Sequence, residues 1–338
     1  MCGIAGVIRW GNKPIDEEQV GFLLVGNEHR GNDASGLVIQ QANGSLDVLK
    51  KDCPGWKLVQ SKEYEKFMHE HLKVDSTAVL IHARGASRGN PRDNNNNHPM
   101  FAGKGAIIHN GAIKNDDILF GQFKLDRKAA TDSDIFRAII DKWGLTEEAV
   151  EKMGAGVGSG AIACVHPDFP GRVLLVRSGN PLTVASNEDF FFFSSEKNTL
   201  HRACRPYVQR RGIWFQAQRP NVDFSNMADN TAWLIGPKGL AFHKECRICT
   251  GNYNEPWRRT YEEYEARQKR FDEFSRSNSI VSKPLSENKM KVGICVKCHK
   301  EWVLPADALY SEYRCNKKKG GCDGRLAAPI VVAAKMVN

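Results

Sequence analysis

The sequence contains no apolar run of about 18 residues, the length that a helix needs to cross a bilayer. It also does not open on the basic, apolar and small-residue segments of a secretory leader. We therefore expect a cytoplasmic protein with no membrane partner. Because cytosolic thiols stay reduced, its ten cysteines favour catalytic and metal-binding roles over disulfides.

A glycine-rich phosphate-binding loop is also missing after residue 250, and no second large catalytic domain is evident there. The 338 residues nevertheless allow a large core and more than one domain. The net charge of +9 fits nucleic acid, an acidic partner or an ordinary soluble surface. Its concentration in residues 289–325 is more informative than its sum, because nine lysines and arginines crowd that stretch.

The N-terminus places a cysteine directly after the first methionine, in the sequence MCGIAG. Removal of Met1 would give Cys2 a free α-amine beside its thiol. An α-amine and a thiol both titrate near pH ~8, so the amine can accept the thiol proton and activate the sulfur. Taken alone, the position also fits a small buried residue that starts a strand.

Further motifs follow in order along the chain. They are HRGNDASG at 29–36, HARGASRG at 82–89, HNG at 109–111, TDSD at 131–134 and SSEKNTL at 194–200. Behind Cys2, this series resembles the glutaminase domain of class II glutamine amidotransferases, a branch of the N-terminal nucleophile hydrolases. The resemblance runs from Cys2 to about Leu200.

The resemblance implies an α+β fold, a four-layer αββα sandwich of two antiparallel sheets between helices. The apolar patterns of the sequence agree with it. They predict core strands over 78–82, 105–109 and 172–177, and helices over 17–26 and 132–142. The chemistry is expected at strand ends and in loops.

The resemblance also implies roles for single residues, with glutamine as the substrate. Cys2 would attack the side-chain amide, and Asn110 with the backbone N–H of Gly111 would form the oxyanion hole. Arg84 would bind the substrate α-carboxylate through its planar fork, and Asp132 would hold the α-ammonium group. Each of these residues, taken alone, also has an ordinary structural explanation, such as a surface charge, a turn or a helix cap.

The loop after Arg84 departs from the pattern of the amidotransferases that make amino sugars. Those enzymes carry an aromatic residue and a histidine where this chain has Gly85 and Arg88. Ser87 takes the place of a threonine that contacts substrate, and His98 also fits the family as a substrate-binding residue. The asparagine run at 93–97 is predicted to be an irregular surface loop without a role in the chemistry.

Four cysteines near the C-terminus form a second motif: Cys295, Cys298, Cys315 and Cys322. The first pair has the spacing of a metal-binding knuckle, and four thiolates suit the closed tetrahedral site of structural zinc. We interpret residues 291–325 as a zinc ribbon. Its lysines and aromatic residues suit nucleic acid and protein docking equally, so both partners remain open.

Other cysteines and the region between the two motifs are less specific. Cys246 and Cys249 share the two-residue gap of His201 and Cys204, but buried cysteines explain them better than a second metal site. A charged segment with an aromatic stripe, 257–274, is predicted to be a helix after Pro256. Residues 275–289 have the composition of a flexible linker.

These observations divide the chain into three parts: a glutaminase domain at 2–250, a helix and linker at 251–290, and a zinc-ribbon domain at 291–338. We interpret the protein as a glutamine amidotransferase that supplies ammonia to a synthetase or ligase on another chain, in the modification of a nucleic-acid base or its precursor. The alternatives are a γ-glutamyl amidohydrolase that needs no acceptor, and a catalytically inactive docking protein.

Overall fold

The computed structural model describes residues 1–204, 207–210, 213–216, 223–237, 239–248, 290–295, 301–305 and 326–327. They fall in two compact units, one with the chain up to residue 248 and one with the strands from residue 290 onward. The predicted helix at 257–274 and linker at 275–289 lie outside the described residues, as do Cys249, Cys298, Cys315 and Cys322.

Two antiparallel sheets form the centre of the first unit. Across the first sheet, the strands are β13 (Asp223–Asn226), β9 (Thr183–Ser186), β10 (Phe190–Ser194), β1 (Gly3–Arg9), β4 (Ala78–Arg84), β2 (Ala34–Gln40) and β3 (Leu46–Lys51). Across the second, they are β15 (Gly239–Glu245), β14 (Thr231–Gly236), β8 (Val173–Ser178), β7 (Gly158–Val165), β6 (Ala106–Ile113) and β5 (Met100–Phe101). A separate pair is formed by β11 (Tyr207–Arg210) and β12 (Ile213–Gln216).

Helices cover the outer face of each sheet, which gives the four predicted layers. Against the first sheet pack α1 (Glu17–Asn27), α2 (Gly55–Val59), α3 (Lys62–His71) and α7 (Lys197–Ala203). Against the second sheet pack α4 (Asp116–Phe123), α5 (Asp134–Trp143) and α6 (Glu147–Gly154). A third apolar cluster fills the space between the two sheets.

Strand β1 shows why both sheet faces are apolar. Successive side chains of a strand point to opposite faces. Ile4 and Ile8 therefore pack in the cluster between the sheets, while Ala5 and Val7 pack under the helices. Because both faces are covered, nearly the whole strand is buried.

The three predicted strands and two predicted helices are confirmed, with small shifts of their ends. The strands correspond to β4, β6 and β8, and the first helix to α1. The second helix, α5, starts at Asp134 instead of Asp132. The reason is local: the Asp132 carboxylate accepts a hydrogen bond from the backbone N–H of Ile113, which holds this residue against β6.

The second unit contains three described strands, β16 (Met290–Cys295), β17 (Glu301–Pro305) and β18 (Leu326–Ala327). They pair in the order β17, β16, β18, and Cys295 lies opposite Leu326. The helices of the described ranges include none long and apolar enough to cross a membrane.

Candidate active site

Cys2 lies at the start of β1, beside the end of β4. Gly3 pairs with Ala83, so Cys2 comes next to Arg84. The Cys2 Sγ atom is 3.6 Å from the carbonyl oxygen of Gly85. Burial raises the pKa of the Cys2 thiol, and the nearby amino terminus, Arg84 and Arg30 oppose that rise. These positive charges favour the thiolate, which is the nucleophilic form.

A buried ion pair fixes the main chain of Cys2. The Nε atom of Arg30 donates to the Cys2 carbonyl oxygen at 2.8 Å, and its Nη1 atom lies 2.6 Å from the Oε1 atom of Glu196. His29 contacts the same carboxylate oxygen at 3.2 Å. Burial alone would raise the pKa of Glu196, but His29 and Arg30 hold it down at about 2. Two motifs of the sequence, at 29–36 and 194–200, thus meet behind the nucleophile.

Two glycines allow the loop after Arg30 to approach the loop after β4. A Cβ atom on Gly31 would lie 2.1 Å from the backbone nitrogen of Gly85. A Cβ atom on Gly85 would in turn lie 3.1 Å from the carbonyl oxygen of Arg30 and 2.7 Å from that of Met1. The backbone is therefore closely packed around the N-terminus. The Met1 residue itself is 65% exposed.

Arg84 is buried at the end of β4, and its partners among the described residues are neutral oxygens. Its Nη1 atom donates to the Oδ1 atom of Asn97 at 2.7 Å, and its Nη2 atom to the carbonyl oxygens of Arg88 and Gly89 at 2.6 and 3.0 Å. Burial lowers the pKa of Arg84, and the negative charges of Cys2, Asp33 and Asp132 oppose this. The arrangement orients a guanidinium whose charge is available to an anionic ligand.

Asn97 was missed by the sequence analysis, which predicted a surface loop at 93–97. Asn96 and Asn97 are buried, and residues 94–96 form a short 3-10 turn. The Asn97 amide donates to the carbonyl oxygen of Pro91 and to the side chain of Asn94. The prediction was wrong for these two residues, because their side chains have polar partners within the fold: Arg84 donates to Asn97, and the backbone N–H of Ala130 donates to Asn96.

Arg88 attaches the same loop to α4. Its Nη1 atom donates to both carboxylate oxygens of Asp116, at 2.9 and 3.0 Å. Arg127 donates to Asp116 at 2.7 Å and to Asp117 at 2.5 Å. The Asp116 side chain is almost fully buried, so this ion pair holds the backbone of residues 88 and 89, whose carbonyls orient Arg84.

Asn110 and Gly111 lie on β6, opposite Ala161 and Gly160 of β7. The Asn110 side chain is buried, and its Nδ2 group has no hydrogen-bond partner within the described ranges. A buried unpartnered amide costs about 1–3 kcal/mol, so such a group points to a ligand. Gly111 must lack a side chain, because a Cβ atom would lie 2.0 Å from the Ser159 carbonyl oxygen.

The N–H groups of β6 alternate between its two edges. The N–H of Lys114 donates to Val157, on the side of β7, whereas the N–H of Ile113 donates to the Oδ2 atom of Asp132 at 2.6 Å. Alternate residues of a strand direct their N–H groups to the same edge. The N–H of Gly111 therefore points to the edge at which Asp132 lies, away from β7.

Three histidines are buried beneath the site. His98 stacks on His82 with ring centroids 4.1 Å apart, and both ring nitrogens of His98 are without a partner in the part of the chain that is described. The Nε2 atom of His82 donates to the carbonyl oxygen of His109, at 3.1 Å. Burial lowers the pKa of His82 to about 3 and that of His98 well below its usual range. These histidines are neutral at neutral pH.

The predicted site residues thus occupy distinct positions. Arg84 interacts electrostatically with Cys2 and with Asp132, and Gly111 presents its N–H on the Asp132 side. His98 lies buried in the histidine stack, while Ser87 is exposed on the loop after Arg84. Cys246 is buried, with its Sγ atom 3.6 Å from the Val150 carbonyl, and the described residues contain no cluster of three or more metal-ligating side chains.

No protein-family model matches the chain. In sequence, it is similar to the glutamine–fructose-6-phosphate aminotransferase of Gluconobacter oxydans, with 30% identity over 241 residues that cover 67% of this chain and 37% of that protein. It is also similar to the 7-cyano-7-deazaguanine synthase of Saccharolobus solfataricus, with 28% identity over 207 residues that cover 58% of this chain and 43% of that protein.

Among solved structures, the fold is similar to that of the glutamine phosphoribosylpyrophosphate amidotransferase of B. subtilis. The TM-score is 0.53 at 16% identity, over 72% of this chain and 49% of that one. The chain spans only about two fifths of the curated relatives named above. The matches support the predicted N-terminal nucleophile hydrolase fold for the first unit.

Proposed function

We propose that this chain, an enzyme of the class II glutamine amidotransferase type, hydrolyses the side-chain amide of glutamine through a thioester on Cys2. The observation that carries the proposal is the buried Nδ2 group of Asn110, which has no partner among the described residues and lies on the strand that also presents the Gly111 N–H. A developing oxyanion requires donors directed at one place, and the proposal assigns these two groups to that role.

The reaction would proceed in two steps. With Met1 removed, the Cys2 α-amine takes the thiol proton, and the sulfur attacks the δ-carbon of glutamine. The tetrahedral intermediate collapses when the C–N bond breaks, and the amine returns the proton to the departing nitrogen, which leaves as ammonia. Water then attacks the thioester, which releases glutamate and restores the thiol.

Arg84 and Asp132 would select the substrate. The guanidinium would bind the α-carboxylate, and the Asp132 carboxylate the α-ammonium group, so that a free amino acid is accepted and an amide within a peptide is rejected. Asp132 already accepts the Ile113 N–H with one oxygen, and a carboxylate has further lone pairs for a second donor. Ser87 and His98 are proposed as further substrate-binding residues on the same loop.

Kinetics of single variants test this function. Wild-type protein should produce glutamate and ammonia from glutamine, and Cys2→Ser should abolish this activity. Asn110→Ala should lower kcat by about 10²–10³-fold with little change in KM, because the donor acts on the transition state. An active Cys2→Ser protein, or an Asn110→Ala protein with unchanged kcat, would contradict the proposal.

We further propose that the ammonia serves a synthetase or ligase partner. The curated relatives named above are two to three times longer than their match to this chain, so most of their length has no counterpart in the aligned part of it. One of them is named as a synthase of a deazaguanine, which supports a nucleobase precursor as the acceptor class. A partner that raises glutaminase turnover would support this; full turnover of γ-glutamyl amides by the chain alone would favour an amidohydrolase.

For the second unit, we propose a zinc ion that is held by Cys295, Cys298, Cys315 and Cys322. Two observations support the proposal: Cys295 ends β16 opposite Leu326, and Cys322 precedes Leu326 by only a few residues in the sequence. Cys298 lies in the five-residue connection between β16 and β17. Zinc bound there would be structural, with binding to nucleic acid or protein through the surrounding lysines. One zinc per chain by elemental analysis, lost in Cys298→Ser, is the expected result, and no zinc in wild-type protein would contradict it.

A further inference from the structure

Asn180 contacts the peptide unit that joins Asn110 to Gly111. Its Nδ2 group donates to the Asn110 carbonyl oxygen at 2.5 Å. Because the acceptor is a backbone carbonyl, the side-chain nitrogen must be the atom that faces it. Asn180 lies outside every motif of the sequence analysis, two residues beyond the end of β8.

The geometry of the peptide unit connects this contact to the site. In a planar trans peptide, the C=O and N–H groups point in opposite directions. The carbonyl that accepts from Asn180 and the N–H of Gly111 belong to the same unit. The alternation along β6 directs that N–H to the edge of Asp132. Asn180 therefore holds the peptide from the side opposite the predicted oxyanion.

A hydrogen bond to a peptide carbonyl also polarises the unit, which makes its N–H a stronger donor. The effect is cooperative and adds about 10–30% per bond. It acts on the donor that would meet the charge of the tetrahedral intermediate. The hydrogen bond from Asn180 would thus affect both the orientation and the donor strength of the Gly111 N–H group.

Neighbouring residues fix Asn180 in this position. The Nε atom of Arg177 donates to the Asn180 carbonyl oxygen at 3.1 Å, and the Gly179 N–H donates to the Oδ1 atom of Asp229 at 2.8 Å. Gly179 has a φ of +83°, a conformation that glycine adopts without strain. The turn is therefore held at both ends, and the side chain is directed at β6.

We propose that Asn180 is a positioning residue of the oxyanion hole, acting through the Asn110–Gly111 peptide. This inference rests on the proposed glutaminase activity. It assigns to Asn180 the orientation and polarisation of the Gly111 N–H during attack by Cys2. The residue touches neither substrate nor sulfur in this account.

Two variants test the inference. Asn180→Ala removes the donor, and Asn180→Asp keeps the size of the side chain while replacing its NH2 group with a second acceptor. We expect both to lower kcat for glutamine hydrolysis by about 5–20-fold, less than the loss of a direct oxyanion donor, with KM within about twofold. Asn43→Ala, in an exposed turn of the β2–β3 hairpin, is the matched control and should retain wild-type kinetics.

A binding readout separates positioning from general damage. The γ-aldehyde analogue of glutamine forms a hemithioacetal with a cysteine thiol, and its oxygen would occupy the oxyanion position. Its inhibition constant should rise in Asn180→Ala by the same factor as kcat falls, whereas the inhibition constant of glutamate should not change. If Asn180→Ala does not fold, the inhibition constants of the aldehyde and of glutamate are compared in Asn180→Asp instead, and the same outcomes apply.

Failure of the proposed function and failure of the proposed role of Asn180 would give different results. Wild-type protein without glutaminase activity would reject the proposed function itself. An active wild-type enzyme whose two Asn180 variants keep kcat within twofold would overturn only the role of Asn180. Equal losses of affinity for the aldehyde and for glutamate would also overturn it, because they would indicate a collapsed site.

Discussion

The Nη1 atom of Arg84 donates to the Oδ1 atom of Asn97 at 2.7 Å, inside the protein. The two residues lie on opposite ends of the loop that follows β4. The amide of Asn97 also binds Pro91 and Asn94 of the same loop. The orientation of the predicted carboxylate-binding group thus depends on the folding of this loop around it.

Removing Asn97 should weaken glutamine binding. Asn97→Ala takes away a hydrogen bond to a charged donor, which contributes about 1.5–3 kcal/mol, so we expect KM for glutamine to rise by roughly tenfold. The exposed Asn95→Ala is the control and should leave KM unchanged. Steady-state kinetics of glutamate formation measure KM for both variants. Equal KM values for the two would contradict the role of Asn97.

The ion pair between Arg88 and Asp116 should stabilise the loop. Asp116→Asn leaves two arginines without their buried carboxylate, and we expect the free energy of unfolding to fall by about 1–3 kcal/mol and KM for glutamine to rise. The effect is smaller than for a fully buried pair, because the Arg88 side chain is 45% exposed. Urea denaturation measures the change in the free energy of unfolding.

Asp117 offers a matched control for that experiment. It contacts the same two arginines, but its side chain is 77% exposed. Asp117→Asn should therefore change stability by less than about 0.5 kcal/mol. A loss equal to that of Asp116→Asn would show that burial of the carboxylate is not what matters.

Gly111→Ala should impair catalysis more than binding. The new Cβ atom would lie 2.0 Å from the Ser159 carbonyl oxygen, so the backbone must shift and move the Gly111 N–H. We expect kcat to fall by about 10²-fold or more, on the scale of a lost oxyanion donor. Gly121→Ala, on α4 with open space around its Cβ position, should keep wild-type kcat. Undiminished turnover by Gly111→Ala would be incompatible with the proposed oxyanion hole.

The Glu196–Arg30 pair should make stability depend on acid pH. The pKa of Glu196 is lowered to about 2 in the folded protein, against an ordinary value near ~4.3. Its contribution is complete above the ordinary pKa and is lost as the pH falls towards 2. Urea denaturation between pH 7 and pH 3 should show wild-type stability converging on that of Glu196→Gln, from a difference of up to about 3 kcal/mol at pH 7. A constant difference across this range would contradict the assignment.

The sequence predicted the parts of the site that lie in local motifs. Asn110 and Gly111 belong to the HNG motif, directly after the predicted strand at 105–109, and Cys2 is identified by its position next to Met1. Asn97 was missed because an asparagine run resembles a surface loop, and only the buried guanidinium of Arg84 gives its side chain a role.

The sequence patterns could not predict contacts between distant parts of the chain. Arg30 and Glu196 are separated by 166 residues, and Asn180 and Asn110 by 70. A single asparagine after a strand is typical of a turn, so nothing local distinguishes Asn180 from other turn residues. Sheet pairing and the packing of the two sheets determine which of these side chains meet.

Intact-mass spectrometry before and after reaction with a diazo-oxo-norleucine electrophile determines whether Cys2 is the N-terminal nucleophile. We expect the mature chain to lack Met1 and to gain one adduct, which peptide mapping places on Cys2 and which is absent in Cys2→Ser. A chain that retains Met1, or that leaves Cys2 unlabelled, would contradict an N-terminal cysteine nucleophile and favour the docking function instead.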